Sequence, residues 1–245
     1  MQLKEAIAFV TGANRGIGKE FVEGLLRAGA RTVYAGVRDL KNTAPHGSVP
    51  IRLDVTNLRE VAAAAKACND INLLINNAGI AVLSPLIGAP DTAEARTQME
   101  TNYFGTLNMC REFAPVLKNN GGGALVNILS VASWGTPAFF GAYSAAKTAS
   151  LALTRAARIE LRSQGTLVMG VYAGFVDTDM NKSYNVPKVQ PKVVVDSVLA
   201  AIETGSEEVL ADDRAREVAT NFVKESKVHE QKHQQAWDQE RFNRN

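Results

Sequence analysis

The sequence predicts a single α/β domain: a doubly wound, seven-stranded, mostly parallel sheet with helices on both faces. Short apolar runs alternate with longer helical patterns as far as residue 210. The runs are apolar on both faces, which indicates strands buried on both sides, as in a parallel sheet covered by helices. Because the alternation is unbroken, residues 1–211 are predicted to form one domain without a linker.

The predicted strands are short runs bounded by polar residues or glycine. They are AIAFVT (6–11), RTVYAGV (31–37), SVPIRLD (48–54), INLLIN (71–76), ALVNILS (124–130), TLVMGVYA (166–173) and EEVL (207–210). Helical patterns lie between them, near 17–29, 57–67, 92–118, 143–163 and 191–203. From Asp212 the composition turns polar, so residues 212–245 are predicted to be a helical tail of the same domain, either exposed or packed on a partner.

The composition narrows the class of protein. Of the 245 residues, 46% are hydrophobic and 21% charged, as in a globular protein with a sizeable core. A net charge of +2 is too small to indicate binding to nucleic acid or a membrane surface. The sequence has neither a leader pattern nor ~18 consecutive apolar residues. Cys68 and Cys110 are far apart, so we expect reduced thiols and a cytoplasmic protein.

A glycine-rich segment, TGANRGIG (11–18), follows the first strand and opens the first helix. Gly12 allows a tight turn, while Gly16 and Gly18 allow close approach of a pyrophosphate and of the helix. The helix N-terminus offers N–H groups to phosphates. The alternative is a plain strand-to-helix turn, but this position in an α/β chain favours a Rossmann-type dinucleotide site.

Basic residues at this end of the predicted site favour NADP(H) over NAD(H). The second strand ends in GVRD, so Arg38 stands where an acidic residue often binds the ribose 2′-hydroxyl. A guanidinium instead suits a 2′-phosphate, and Arg15 adds a second positive charge. The alternative is two solvated surface arginines. Asp54 closes the third strand and is placed to meet the adenine end, unless it only precedes a helix N-terminus.

Tyr143 and Lys147 are four residues apart on a predicted helix and therefore share a face. A free tyrosine has a pKa near ~10, and a cation within ~4–6 Å favours the phenolate. Ser130 ends the fifth strand, at the edge where α/β sheets bind ligands. The Ser130 hydroxyl is predicted to hold a substrate oxygen that Tyr143 protonates or deprotonates.

Five motifs occur in an order that resembles the short-chain dehydrogenase/reductase superfamily, in its carbonyl-reductase-like branch with subunits of about this length. They are TGANRGIG (11–18), NNAG (76–79), TNYFG (101–105), Ser130 and YSAAK (143–147). The resemblance implies that Tyr143 is the acid/base and that Ser130 polarises the substrate carbonyl. It also implies that Lys147 lowers the tyrosine pKa and bonds the nicotinamide ribose, and that Asn102 supports a water in a proton relay.

The resemblance also implies most of the cofactor contacts. With Arg38 and Asp54, the candidate set comprises Gly12, Asn14, Arg15, Gly16, Ile17, Gly18, Val55, Asn77, Ala78, Gly79, Tyr143, Lys147, Gly174, Val176 and Thr178. Gly174, Val176 and Thr178 match the positions that contact the nicotinamide carboxamide. The chain departs from the family after the sixth strand, where Ala173-Gly174 replaces the usual Pro-Gly. Alanine restricts the backbone of this turn less than proline would.

The predicted activity is hydride transfer between NADP(H) and a carbonyl or alcohol carbon of a small molecule. Trp134 and Phe140 lie between Ser130 and Tyr143 in the sequence, and Tyr184 follows the sixth strand. These aromatic residues favour a hydrophobic, aromatic or bulky ketone or aldehyde. One alternative is an NADP(H)-binding sensor or scaffold without turnover. Another is C=C reduction or epimerisation on the same site.

The sequence also predicts self-association as a homodimer or homotetramer. Apolar residues cover more than one face of the helix near 92–118; they are Met99, Tyr103, Phe104, Leu107, Met109 and Phe113. The resemblance adds that this helix and the Tyr143 helix usually pack against a second subunit.

A segment near the end of the chain, HEQKH (229–233), fits a zinc-protease signature. A catalytic zinc needs a third protein ligand in a buried cleft, and only twelve residues follow His233. The polar surroundings favour a solvated helix face, so no metal is expected.

Overall fold

The computed structural model describes residues 1–41 and 44–222, which form a seven-stranded parallel sheet. The strands are β1 (Ile7–Thr11), β2 (Thr32–Val37), β3 (Val49–Arg52), β4 (Leu73–Asn76), β5 (Ala124–Ile128), β6 (Leu167–Tyr172) and β7 (Glu208–Leu210). Their order is β3-β2-β1-β4-β5-β6-β7, and each neighbouring pair is parallel. The winding direction therefore reverses between β1 and β4, which creates a ligand-binding crevice in this class of fold.

In the described part of the chain, α-helices lie between the strands and one more follows β7. They are α1 (Gly16–Arg27), α2 (Leu58–Ala67), α3 (Ala93–Met99), α4 (Gly105–Asn119), α5 (Gly141–Glu160), α6 (Pro191–Thr204) and α7 (Asp213–Phe222). Buried side chains of α1 and α6 pack against one face of the sheet, and those of α2, α4 and α5 pack against the other. The predicted doubly wound architecture is confirmed.

Side chains along β1 show why these runs become buried strands. Ala8 and Val10 belong to the core under α1 and α6, whereas Ile7 and Phe9 belong to the core under α2 and α4. Alternate residues of a strand point to opposite faces, so a strand covered on both sides must be apolar throughout. Phe9 also packs against Phe113 of α4, with ring centroids 5.2 Å apart.

The helix predicted near 92–118 is present, from Ala93 to Asn119, but it is not a regular α-helix throughout. A π-helical turn, Glu100–Phe104, separates α3 from α4. Such a turn carries one extra residue, and the 3.6-residue periodicity of apolar side chains does not reveal it. The strand ends also differ slightly: β3 ends at Arg52 and β5 at Ile128. Asp54 and Ser130 therefore lie two residues beyond their strands, still at the carboxyl edge of the sheet.

The start of the predicted tail, α7, packs on the domain, with Ala215 and Val218 buried. It is therefore a packed element rather than an exposed one. The rest of that tail, including HEQKH at 229–233, lies outside the described residues. Within the described ranges, no helix combines the length and apolar character needed to cross a membrane.

Candidate active site

A cavity of about 600 Å³ opens at the carboxyl ends of the strands, over the point where the winding reverses. It brings together nearly all the predicted cofactor and catalytic residues. Those that line it are Gly12, Asn14, Arg15, Gly16, Ile17, Arg38, Asp54, Val55, Asn77, Ala78, Gly79, Asn102, Ser130, Tyr143, Lys147, Gly174, Val176 and Thr178. Segments distant in the sequence therefore converge on one site.

The glycine turn forms a tight backbone cradle at one side of this cavity. Gly12 has a φ of +64°, and a Cβ on Gly18 would lie only 2.2 Å from the Gly12 carbonyl oxygen. The Asn77 side chain secures the turn by donating to the carbonyls of Thr11 (2.9 Å) and Gly12 (3.2 Å). Arg15 at the N-cap makes no side-chain cap hydrogen bond to α1. A pyrophosphate therefore fits here, against backbone N–H groups and the positive end of a helix.

Charged residues from the ends of β2 and β3 lie at the adenosine end of the cavity. Burial acts to raise the pKa of Asp54, but hydrogen bonds from Thr56 and the charges of Arg38 and Arg52 lower it overall. Thr56 donates to Asp54 through its hydroxyl, over 2.7 Å, and through its N–H, over 2.9 Å. Asp54 is thus kept ionised and oriented, and Arg38 faces the same cavity.

Ser130, Tyr143 and Lys147 meet beside the end of β5. The hydroxyls of Ser130 and Tyr143 are hydrogen-bonded, and Ser130 Oγ also accepts the N–H of Ala132 over 3.1 Å. Lys147 Nζ lies 5.8 Å from the centroid of the Tyr143 ring and donates to the Ile128 carbonyl over 2.8 Å. The predicted face-sharing of Tyr143 and Lys147 therefore exists, with the ammonium group anchored to the backbone.

The electrostatics of the pair differ from the sequence-based prediction. Burial raises the pKa of Tyr143 to about 12, and the hydrogen bond with Ser130 offsets only part of this. Burial also lowers the pKa of Lys147 to about 8. The lowering of the tyrosine pKa expected from the lysine is therefore not found: desolvation of the phenolate dominates, and the opposing contribution comes from Ser130. Tyr143 holds its proton at neutral pH.

The π turn holds Asn102 so that its amide binds the segment after β4. Asn102 Oδ1 accepts the N–H of Ile80 and its Nδ2 donates to the Ile80 carbonyl, each over 2.9 Å. Gln98, one turn earlier and fully buried, makes the same pair of bonds to Val82, at 3.2 and 3.1 Å. Two amides therefore hold residues 80–82 as a neighbouring strand would. Gln98 was missed by sequence reasoning, and its four-residue spacing from Asn102 is the only signal for it.

The predicted substrate aromatics divide into two groups. Phe140 lies 6.5 Å from the Tyr143 ring and 5.5 Å from the Tyr184 ring, centroid to centroid. Phe175, which the sequence analysis missed, packs on both Phe140 (6.3 Å) and Tyr184 (5.8 Å). These three rings are called the aromatic cluster. The cluster lies beside the Tyr143 ring and is not part of the cavity lining formed by the described residues.

Trp134 belongs elsewhere, contrary to expectation. It stacks on Tyr172 at 3.9 Å and lies 6.5 Å from Phe222 of α7. Trp134 is therefore part of the packing between β6 and α7 rather than of the cavity lining formed by the described residues.

Replacing Lys147 with Met is expected to stabilise the folded protein. Lys147 is only 7% exposed, and each unit of its lowered pKa represents about 1.4 kcal/mol. After about 1 kcal/mol is deducted for the lost bond to Ile128, the free energy of unfolding should rise by about 2–3 kcal/mol at pH 7. The advantage should shrink between pH 8 and 10.5, because there the unfolded lysine keeps a proton that the folded one has lost. Urea unfolding at several pH values measures this; a Lys147→Met variant less stable than wild type at pH 7 would contradict it.

Comparison with known proteins agrees with this geometry. Residues 6–188 match the short chain dehydrogenase family. The short-chain dehydrogenase ptmH of Penicillium ochrochloron is 31% identical over 217 residues, covering 84% of this chain and 79% of that protein.

Solved structures are also similar. A short chain dehydrogenase from Burkholderia cenocepacia in complex with NADP is 43% identical, with a TM-score of 0.89 and coverage of 93% of this chain and 97% of that one. NADPH-bound carbonyl reductase from chicken fatty liver is 28% identical, with a TM-score of 0.74 and coverage of 81% and 91%. The chain therefore belongs to the short-chain dehydrogenase/reductase superfamily.

Proposed function

We propose that this protein is an NADP-dependent oxidoreductase that moves a hydride between the nicotinamide and a carbonyl or alcohol carbon. The observation that carries the proposal is the meeting of Ser130, Tyr143 and Lys147 in the same cavity as the glycine turn and Arg38. A cofactor that spanned this cavity from the glycine turn would have its nicotinamide end held beside Ser130, Tyr143 and Lys147. NADP(H), when bound, supplies or accepts the hydride.

The side chains handle the proton and the substrate oxygen. In reduction, Tyr143 donates its proton to the carbonyl oxygen, which gains negative charge as the hydride arrives at the carbon. Ser130, already hydrogen-bonded to Tyr143, donates to the same substrate oxygen and polarises the carbonyl. Lys147 is held by the Ile128 carbonyl and lies close enough to stabilise charge on the phenol. In oxidation the proton moves in the opposite direction.

Cofactor choice follows from charge. Arg38 and Arg15 both line the cavity, and Arg15 forms an exposed pair with Asp179, at 4.0 Å. Exposed pairs of this kind are weak, so Arg15 can turn toward a phosphate at little cost. The relative that is 43% identical was solved with NADP, which supports the same preference here.

The substrate is proposed to be a hydrophobic, aromatic or bulky ketone or aldehyde. The aromatic cluster of Phe140, Phe175 and Tyr184 stands next to Tyr143, and aromatic walls favour flat apolar ligands. The stretch between Ser130 and Tyr143 contains no lysine or arginine to bind a carboxylate.

The test follows NADPH absorbance with two ketones of similar size, one aryl-alkyl and one bearing a carboxylate. We expect kcat/KM to favour the aryl ketone by at least about tenfold. Faster turnover of the carboxylate would overturn the substrate class. NADPH binding without turnover of any ketone, aldehyde or alcohol would favour a sensor or scaffold, and turnover of an activated alkene or sugar epimer would favour the other chemistry.

The protein is proposed to self-associate as a homodimer or homotetramer. Fewer apolar residues are available for the interface than the sequence indicated. Met109 and Phe113 are fully buried in the core of their own chain. Phe104, however, is 42% exposed, and its ring packs edge-on to Tyr103 at 4.9 Å. Light scattering should give a mass of at least twice the 26.3 kDa of one chain; a monomer alone would refute the proposal.

A further inference from the structure

The turn after β6 carries three candidate cofactor contacts, and a carboxylate from beyond β7 holds its first part. Gly174, Val176 and Thr178 line the cavity. The N–H of Gly174 donates to Oδ2 of Asp212 over 2.8 Å. Asp212 is only 8% exposed and does not itself line the cavity formed by the described residues. The Asp212 carboxylate therefore acts on the site indirectly, through the backbone of Gly174.

The second oxygen of the same carboxylate holds α7. Asp212 Oδ1 accepts the N–H of Ala215, in the first turn of that helix, over 2.7 Å. A negative charge at a helix N-terminus is favourable, and hydrogen bonds to an ionised acceptor are stronger than neutral ones. Helix α7 is in turn packed through Phe222 on Trp134, which stacks on Tyr172 of β6. Asp212 thus joins Gly174 to a helix whose position is already determined by packing.

The two ends of the turn are held differently. Its far end pairs with Val189, which donates to the Phe175 carbonyl over 2.9 Å and accepts the Asp177 N–H over 2.8 Å. At the near end, Ala173 and Gly174 lack the restriction that a proline would impose. A Cβ on Gly174 would lie 3.1 Å from the Arg214 side chain, so α7 packs closely on this point. The hydrogen bond to Asp212 is the specific restraint on Gly174.

We propose that Asp212 is a positioning residue for the nicotinamide half of the cofactor site. By holding Gly174 against α7, it places the backbone of residues 174–178 where it contacts the cofactor. The inference rests on the proposed binding of NADP(H). It predicts that loss of the carboxylate weakens contacts to the nicotinamide half and leaves the adenosine half, held by the glycine turn and Arg38, unaffected.

The experiment compares two probes by isothermal titration calorimetry: NADPH, and 2′,5′-ADP, which lacks the nicotinamide half. In Asp212→Ala we expect the Kd for NADPH to rise about tenfold, because a hydrogen bond to a charged group is lost. The Kd for 2′,5′-ADP should stay within about twofold of the wild-type value. Asp212→Asn keeps the shape and one acceptor oxygen, so its NADPH Kd should lie between those of wild type and Asp212→Ala. Asp213→Ala is the matched control, because Asp213 is exposed and pairs with Arg216 at 2.7 Å; both of its Kd values should equal those of wild type.

Each outcome decides the matter. Equal weakening of both probes in Asp212→Ala indicates a general loss of structure and overturns the proposal, as does an unchanged Kd for NADPH. If Asp212→Ala fails to fold by circular dichroism, Asp212→Asn carries the same test. A wild type that binds neither probe overturns the proposed cofactor and this inference with it. A wild type that binds both, with Asp212 variants that match it, overturns only the role of Asp212.

Discussion

Tyr143→Phe is expected to lower kcat by about 10² or more, because it removes the proton donor and keeps the ring. The remaining ring still packs near Phe140, so the shape of the site is preserved. The Kd for NADPH should change little, since the variant loses one hydroxyl among many cofactor contacts. Steady-state kinetics with a ketone substrate, together with calorimetric titration of NADPH, separates the two effects.

Tyr34→Phe is the matched control for the loss of a phenol. Its hydroxyl donates to Asp70 on the surface, over 3.2 Å, far from the cavity. This variant should turn over at the wild-type rate. Near-normal kcat in Tyr143→Phe would mean that another group supplies the proton, and the proposed mechanism would fail.

Arg38→Asp should move the cofactor preference from NADPH toward NADH. The substitution replaces attraction to the 2′-phosphate by repulsion, a difference of about 3 kcal/mol for a charge-assisted pair. We therefore expect kcat/KM for NADPH to fall by about 10² and the NADPH/NADH ratio to fall with it. Measuring both cofactors at low ionic strength gives the largest contrast, because Arg38 lies at the solvent-exposed side of the cavity.

Arg38→Gln separates lost attraction from added repulsion. It should lose part of the NADPH preference without gaining activity with NADH, and so lie between wild type and Arg38→Asp. If wild type uses the two cofactors with equal kcat/KM, Arg38 does not set the preference and NADP(H) is the wrong assignment.

Features that depend on local pattern were predictable from the sequence. The central strands are buried and apolar on both faces, so their parallel arrangement follows from the apolar runs. The edge strands β3 and β7 include exposed residues and do not share this pattern. The glycine turn could be placed because the glycine-rich segment directly follows the first apolar run, which forms β1. Tyr143 and Lys147 could be paired because a four-residue interval fixes a shared helical face.

Features that depend on tertiary packing were not predictable. Trp134 follows Ser130 closely in the sequence, yet its ring turns toward Tyr172, which no local pattern reveals. The raised pKa of Tyr143 comes from burial, a property of the folded chain rather than of the spacing to Lys147. Asp212 begins a polar stretch, and only the folded chain shows that it bonds Gly174.

The π turn makes the protein sensitive to the deletion of a residue in this segment. Deleting one residue between positions 100 and 104 would let α3 and α4 merge into one regular helix with better backbone geometry. If the deleted residue is Glu100 or Thr101, Gln98 also rotates by about 100° relative to Asn102, so Gln98 could no longer bind Val82 while Asn102 bound Ile80. A shorter chain with a more regular helix would therefore lose the wall of its own active site. Length in this segment is constrained by chemistry rather than by helix stability.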